Sequence, residues 1–123
     1  MIEIRKALNK HLKTIHPRVY FQQAPDATAF TYLVYNIPSL YDDGEGHQLI
    51  TLDIDGWDAP ETGDTTALET LMASVNTGMN KKTIVTEDFA ATFYLENKLS
   101  LTDDDPRIKR RKYVYQGRLF ERS

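Results

Sequence analysis

HQLITLDIDGWD, residues 47 to 58, is the stretch that decides the fold, because its apolar and polar side chains alternate with a period of two. Aliphatic side chains fall on one face and mostly polar ones on the other: Ile50, Leu52 and Ile54 against Thr51, Asp53, Asp55 and Trp57. This alternation is typical of a β-strand with one face on a core and the other on water or a partner. Turn-forming residues at 42–46 and 59–63 mark its two ends. The stretch is therefore predicted to be the central strand of a sheet.

Length and composition limit the chain to one domain without covalent cross-links. The 123 residues include no cysteine and carry a formal net charge of -3. This length is enough to bury a hydrophobic core without a metal or a disulfide, and it is too short for two independent domains. The lack of cysteine excludes a disulfide framework, a thiolate nucleophile and a cysteine-based zinc site, and it permits a reducing compartment.

The N-terminal ten residues, MIEIRKALNK, mix charged and apolar side chains. No run of about 18 uncharged apolar residues occurs anywhere in the chain. We therefore expect neither a signal peptide nor a membrane span, and a soluble protein made in the cytosol. The net charge argues against a protein whose whole surface binds nucleic acid, although it is compatible with a local basic patch.

The remaining periodicities predict two amphipathic helices and further strands. Ile4, Leu8 and Leu12 recur at helical spacing near the N-terminus, and a second helix begins where Thr66 and Glu69 form a capping-box pattern. The predicted elements, in chain order, are a helix (2–15), three strands (18–21, 30–37 and 47–58), a helix (65–79) and two strands (92–101 and 107–121). Residues 83–86 are compatible with a further short strand but are not counted in this order.

These elements predict a single α+β domain over residues 1–123, in the order α-β-β-β-α-β-β. We expect a mostly antiparallel sheet of four to five strands with the two helices packed on one face. Pro38 is expected to end the second strand, because proline cannot donate a hydrogen bond to a sheet. The strand 92–101 is expected to keep its apolar side chains, Phe93 to Leu101, on one face.

A search for chemistry finds no pattern that predicts catalysis, a cofactor or a metal. His11, His16 and His47 show no pair at the helical spacing of a metal site. Asp53 and Asp55 superficially resemble part of a calcium loop, but the other ligands at their fixed offsets are missing. There is no glycine-rich phosphate loop and no Gly-x-Ser-x-Gly motif. We therefore expect a protein that is not an enzyme and that binds no metal or cofactor.

Opposite charges are segregated along the chain. Acidic residues crowd its middle and basic residues crowd the start of the last strand: Asp42, Asp43, Glu45, Asp53, Asp55, Asp58, Glu61 and Asp64 against Arg107, Lys109, Arg110, Arg111 and Lys112. Either these charges neutralise one another within the subunit, or they meet a neighbouring copy or DNA. The second alternative predicts an interface on the polar face of the sheet, at Asp53, Asp55, Trp57, Arg110, Arg111 and Lys112.

Two polar loops flank the second strand, at residues 22–29 and 40–46. Each contains proline or glycine and offers few side chains to a core, so little opposes the entropy of leaving it loose. We expect these loops to be mobile in the free protein and ordered on a partner, or else to be ordinary surface connections. The docking hypothesis concerns the side chains of Gln22, Gln23, Asp26, Asp42, Asp43 and Glu45.

Several of these features together resemble the tail terminator, or tail completion, proteins of long-tailed bacteriophages with non-contractile tails. The similarity lies in the amphipathic first helix, in RVY at 18–20 followed by Ala24-Pro25, and in YLVY at 32–35. It extends to the alternating strand that ends at Trp57, the helix after it, and a closing strand in which aromatic residues follow a basic run. The resemblance spans nearly the whole chain.

The resemblance implies a structural virion protein at the head-proximal end of the tail, assembled in the host cytoplasm. Such a protein forms a ring, a hexamer in the assembled tail and compatible with a monomer in solution, on the finished tail tube. It stops tube polymerisation and offers an interface to the head-completion or connector protein, while DNA passes through the ring without sequence-specific binding. The alternatives are another neck or tail-tube component, or a small nucleic-acid-binding module that uses the basic last strand.

Overall fold

The computed structural model describes residues 2–122. Two helices and six strands follow one another along the chain: α1 (Ile2–Lys13), β1 (Val19–Phe21), β2 (Tyr32–Asp42), β3 (His47–Asp58), α2 (Thr66–Met79), β4 (Lys82–Val85), β5 (Phe89–Leu101) and β6 (Lys109–Glu121). The α+β class and the helix positions agree with the sequence-based prediction. No helix in the described residues combines the length and hydropathy needed to cross a membrane.

All six strands form one sheet in the order β1-β2-β3-β6-β5-β4, with β3 and β6 at its centre. Every neighbouring pair is antiparallel except β1 and β2, which run parallel. The predicted number of strands, four to five, was therefore too small, because the short edge strand β4 also belongs to the sheet. The parallel pair arises because the ten-residue connection between β1 and β2 returns the chain to the same end of the sheet.

Both helices pack on one face of the sheet, which we call the covered face, and this confirms the predicted layering. Its fully buried side chains include Leu33, Tyr35, Ile50, Leu52, Ile54, Phe93 and Tyr115 from the strands and Leu8, Leu12, Leu68, Met72 and Met79 from the helices. Gly56 lets α2 approach β3 closely, because a Cβ atom at this position would lie 2.6 Å from Sδ of Met72. The opposite face of the sheet, the open face, carries no helix.

Two irregularities in the strands correct the predictions. Pro38 does not end β2, which continues to Asp42 through a register shift between Asn36 and Ser39. A bulge tolerates proline, because the ladder hydrogen bond that proline cannot make is already interrupted there. The predicted loop 40–46 is consequently shorter, since its first three residues belong to β2.

A second register shift, between Leu95 and Asn97, changes the faces of β5. Phe93 lies on the covered face as predicted, but Leu99 and Leu101 pair with Lys112 and Arg110 and so lie on the open face. One extra residue in a strand inverts every side chain that follows it, and alternation in the sequence does not reveal that residue.

The start of α2 also differs from its predicted cap. The Oδ1 atom of Asp64 accepts hydrogen bonds from the backbone N–H of Thr66 at 2.9 Å and from its hydroxyl at 2.6 Å. Glu69 is not part of a capping box, because its carboxylate pairs with Arg111 at 2.6 Å. An aspartate before the helix can satisfy an N-terminal donor as well as the predicted threonine could.

Candidate interaction surface

The open face is built by the strand positions that alternate with the core. Its central part consists of Tyr32, Val34 and Asn36 of β2, Asp53, Asp55 and Trp57 of β3, and Arg110, Lys112, Val114 and Gln116 of β6. Because these three strands are neighbours, residues far apart in the chain lie side by side. Trp57, for example, lies opposite Arg110, and Asp55 lies opposite Lys112.

Asp55 and Arg110 form the strongest ion pair on this face. The Oδ2 atom of Asp55 accepts a hydrogen bond from Nε of Arg110 at 2.6 Å, and an Nη atom of the same guanidinium lies 2.5 Å from it in the ion pair. The aspartate side chain is only 10% exposed, so the pair is largely shielded from water. Burial raises the pKa of the Asp55 carboxyl, and the hydrogen bonds and charge of Arg110 oppose that increase. The guanidinium also lies 4.7 Å from the centroid of the Trp57 ring, where it makes a cation–π contact.

An aromatic row continues from Trp57 across the sheet. The rings of Tyr32 and Trp57 stack at 6.1 Å between centroids, and those of Phe30 and Tyr32 stack at 5.4 Å. His16 Nε2 and Nε of Arg18 both contact the carbonyl oxygen of Thr31 at 2.8 Å, which fixes the end of the loop that carries Phe30. The aromatic row is therefore anchored on both sides, by Arg110 and by the segment after α1.

The loop at residues 22–29 stands beside this row and forms one wall of a groove. The groove has a volume of about 560 Å³, and β2, β3 and β6 form its floor. Of the residues predicted for docking or interface roles, it is lined by Gln22, Gln23, Asp26, Asp53, Asp55, Trp57, Arg110 and Lys112. The structure thus brings together one of the two predicted loops and most of the predicted interface.

The basic residues of β6 divide between the two faces of the sheet. Lys112 lies on the open face, 3.7 Å from the carboxylate of Asp53. Arg111 lies on the covered side and pairs with Glu69 of α2, so its predicted position on the polar face was wrong. Successive residues of a strand point to opposite faces, which separates Arg111 from both of its neighbours. The opposite charges of β3 and β6 are paired within the subunit, as one of the two alternatives expected.

The second predicted loop lies at the far end of the open face, where it closes the β2–β3 hairpin. The carboxylate of Asp43 accepts backbone hydrogen bonds from Glu45 at 2.7 Å and His47 at 3.2 Å, and these bonds lower the pKa of Asp43. Asp42 accepts from the backbone of Gly44 at 2.7 Å. These aspartates therefore shape the hairpin tip, while Glu45 projects from it exposed.

An apolar patch lies beside this hairpin tip on the open face. Tyr41, Leu49 and Phe120 are 63%, 50% and 47% exposed, which is unusual for large apolar side chains so close together. They line a shallow depression of about 230 Å³ with mainly apolar walls. The ring of His47 contacts Phe120 edge-on at 4.9 Å. We call Tyr41, Leu49 and Phe120 the hairpin patch.

The three histidines are far from forming a common site. His11 contacts the carbonyl of Gly78 at 2.7 Å, His16 contacts that of Thr31, and His47 contacts Asp43 at 3.1 Å. Within residues 2–122, no three side chains of His, Asp or Glu are grouped so that they could hold a metal ion.

Sequence reasoning missed the hairpin patch and the aromatic row. Tyr41 falls in a predicted loop because Pro38 is expected to end β2. Phe120 and Leu49 fall on predicted strands, but nothing in the sequence shows that β3 and β6 are neighbours. The alternation did contain the signal that separates Arg111 from Arg110 and Lys112.

Comparison with known proteins gives a likeness at the level of the fold. No family model matches the sequence, and no curated protein matches it. A chain in the solved structure described as "Virion of native gene transfer agent (GTA) particle" is similar to this protein, with a TM-score of 0.73 and 16% sequence identity. The similarity covers 90% of this chain and 84% of that chain. This protein therefore shares its fold, over nearly its whole length, with a chain of that particle.

Proposed function

We propose that this protein is a structural component of a phage-type virion, which forms a ring on the end of the completed tail tube. There it stops tube polymerisation and provides the interface for head attachment. The observation that carries the proposal is the shared fold with a chain of the gene transfer agent virion. The resemblance of the sequence to tail terminator proteins supplies the more specific role. This role requires no catalytic residue and no cofactor.

The open face supports a role in assembly, because it combines features of protein interfaces. Tryptophan, tyrosine and arginine are enriched at such interfaces, and Trp57, Tyr32 and Arg110 lie together on the groove floor. The groove gives a partner a shaped surface rather than a flat one. In the proposed assembly this groove receives the tail tube or the connector protein.

The loop at residues 22–29 is proposed to become ordered on that partner. Few backbone hydrogen bonds hold it, since only Gln22 and Gln23 donate from their backbone N–H groups to the strands beside them. Ordering upon binding restricts tight binding to the completed tube, where the partner surface exists. We expect amide hydrogens at residues 24–29 to exchange rapidly in the free protein and to be protected on tubes. The hairpin residues 43–46 should gain protection in the same experiment.

A nucleic-acid-binding role for the last strand receives less support. Arg110, Arg111 and Lys112 each pair with a carboxylate of the same subunit, at 2.5, 2.6 and 3.7 Å. Three of the five basic residues of β6 are therefore neutralised within the subunit, and Lys109 and Arg118 are left without a carboxylate partner in residues 2–122. Duplex binding that weakens steeply with salt would nevertheless favour that role over the proposed one.

The proposal is tested by capping of tail tubes. Purified protein carrying a gold label is mixed with isolated tail tubes, and fresh tube subunits are then added. We expect the label at one end of each tube and no growth from the labelled end, as seen by electron microscopy. Label along the walls, or continued growth from labelled ends, would contradict a terminator role. If the label binds isolated virion necks added to a parallel sample, and leaves tube growth unaffected, the alternative role as another neck component would be favoured.

A further inference from the structure

The exposed side of α1 carries a stripe that nothing within residues 2–122 covers. Ile2, Lys6, Lys10 and Lys13 recur at spacings of four, four and three, so they share one side of the helix. Ile2 is 59% exposed, and the three lysines are also exposed. The buried residues Ile4 and Leu8 follow Ile2 and Lys6 by two positions, which is a rotation of roughly 200°. The stripe therefore points directly away from the core.

The charges of this stripe have no counterpart within the described part of the chain. The ion pairs found in residues 2–122 involve other basic residues: His47, Arg107, Arg110, Arg111 and Lys112. The neighbouring Arg5 is engaged with the ring of Phe21 at 4.8 Å. Glu3 is the one acidic residue of α1 and lies in its first turn. The outer side of α1 is thus apolar at its start and basic along the rest of its length.

The hairpin patch has the complementary character. Its apolar centre, Tyr41 and Leu49 with Phe120, is bordered by the acidic hairpin tip, where Asp42, Asp43 and Glu45 follow one another closely. The cation within this region, Arg118, has its guanidinium 5.7 Å from the Tyr94 ring. An apolar residue followed by lysines fits an apolar depression bordered by carboxylates.

The two surfaces lie at the same end of the molecule but on opposite faces of the sheet. Glu3 and Ile4 at the start of α1 line a cleft with Gln48 and Glu121, which belong to the hairpin end of β3 and β6. The hairpin patch lies at that end on the open face. Because both contacting surfaces lie at the same end of the molecule, successive copies joined in this way are not displaced along the axis of the assembly. Such a head-to-tail contact closes into a ring when its rotation divides a full turn.

We infer that the exposed stripe of α1 in one copy docks on the hairpin patch of the next copy, with Ile2 against Leu49 and Phe120 and the lysines beside the acidic tip. This contact specifies which surfaces join neighbouring copies in the proposed ring, and it therefore rests on that proposed function. It differs from the predicted charge contact through Asp55 and Arg110, whose charges already satisfy each other within one subunit.

Cysteine cross-linking tests the contact directly, because the chain has no native cysteine. The variant Ile2→Cys/Leu49→Cys is oxidised at high concentration in solution and again on capped tail tubes. A head-to-tail contact gives a ladder of cross-linked species that ends at one ring size, whereas Ile2→Cys alone and Leu49→Cys alone stay monomeric. The matched control Ile2→Cys/Thr62→Cys, with its second cysteine on an exposed loop, should give no ladder.

Charge reversal supplies a second measurement that does not depend on cysteine geometry. Lys6→Glu/Lys10→Glu should lower the yield of ladder at least about tenfold, since favourable rim pairs become repulsive. Lys81→Glu/Lys82→Glu changes the net charge equally at two exposed lysines off α1 and should leave the yield unchanged. An equal loss in both variants would mean that net charge alone governs association, and would overturn the assigned contact.

The outcomes also separate this contact from the proposed function. Capped tubes on which Ile2→Cys/Leu49→Cys gives no ladder would overturn the contact while the capping function stands. A ladder in solution with no binding to tubes would support the contact and contradict the function. Dimers formed by Leu49→Cys alone would indicate a symmetric pairing of the patch with itself. Protection on tubes of the thiol introduced by Leu49→Cys, without a ladder, would indicate that another virion protein covers the patch. Either the symmetric dimer or this protection without a ladder would overturn the inference.

Discussion

The two ends of the open face differ in how far their side chains find partners within the subunit. At the groove end, Arg110 pairs with Asp55 and contacts the Trp57 ring, so these charges are paired within the subunit, although the Trp57 indole N–H is buried without a hydrogen-bond acceptor in the described residues. At the hairpin end, the side chains of Tyr41, Leu49 and Phe120 are 63%, 50% and 47% exposed, because no other element of residues 2–122 packs over them. Charge segregation in a sequence therefore does not by itself locate an interface. Exposed apolar area is the stronger indication, because its burial is what favours association.

This comparison predicts that substitutions at the groove end reduce the stability of the subunit, whereas those at the hairpin end reduce the contact between copies in the ring.

Arg110→Met should have the largest effect, because it leaves the Asp55 carboxylate buried without its hydrogen-bond donors. We expect a loss of roughly 2–3 kcal/mol in the free energy of unfolding, measured by urea denaturation. Arg118→Met is the matched control on the same strand and face, where the guanidinium contacts only the Tyr94 ring closely. It should change stability by less than about 0.5 kcal/mol. Equal effects of the two substitutions would remove the contrast between the two ends.

Asp55→Asn should have a smaller effect of about 1 kcal/mol, and it should change the pH dependence of stability. Burial raises the pKa of Asp55, so the folded state holds this proton more tightly than the unfolded state does. The stabilisation from that proton is complete below the ordinary carboxyl pKa and is lost as the pH rises through the raised value. The Asp55→Asn variant should not show this loss of stability as the pH rises. Carbon NMR titration of the Asp55 carboxyl should show the raised pKa, and a value below the ordinary range would contradict it.

Lys112→Met should cost only about 0.2–1 kcal/mol, because its 3.7 Å pair with Asp53 is longer than the Arg110 pair and because Asp53 is more exposed than Asp55. Its effect should decrease further when urea unfolding is repeated at high salt, since screening weakens such pairs. A loss as large as that of Arg110→Met would show that the whole groove floor acts as one charged network.

Phe120→Ser should change the free energy of unfolding least, by about 0.5 kcal/mol or less, since its side chain is nearly half exposed. The same variant should show strongly reduced cross-linking in the Ile2→Cys/Leu49→Cys background. Unfolding of Phe120→Ser at markedly lower urea would mean that the hairpin patch stabilises the subunit, and would invert the comparison.

The alternation of side chains within single strands predicted much of this structure, but it could not predict which strands lie next to each other in the sheet. The covered face of β3 and the inward stripe of α1 follow from local periodicity, and both are observed. The contact between Asp55 and Arg110 depends on β3 lying next to β6, which is 55 positions away in the sequence. A glutamate in place of Arg110 would put two carboxylates together in a shielded site, and no pattern within either strand indicates this.

Bulges account for the differences between prediction and structure within β2 and β5. The shift around Pro38 extends β2 and turns Tyr41 onto the open face, and the shift after Leu95 moves Leu99 and Leu101 there. Both shifts are determined by the partner strand as much as by local sequence, so a pattern within one strand cannot locate them. The sequence consequently identified the residues of the groove better than those of the hairpin patch.

Cryo-electron microscopy of tail tubes mixed with the purified protein tests the central claim most directly. The proposed function predicts a single closed ring of copies at one end of the tube, with none along its wall. In a reconstruction of that end, the loop at residues 22–29 should be ordered against another virion protein. Tubes that end in their own subunits, or copies bound singly along the wall, would contradict the proposed role.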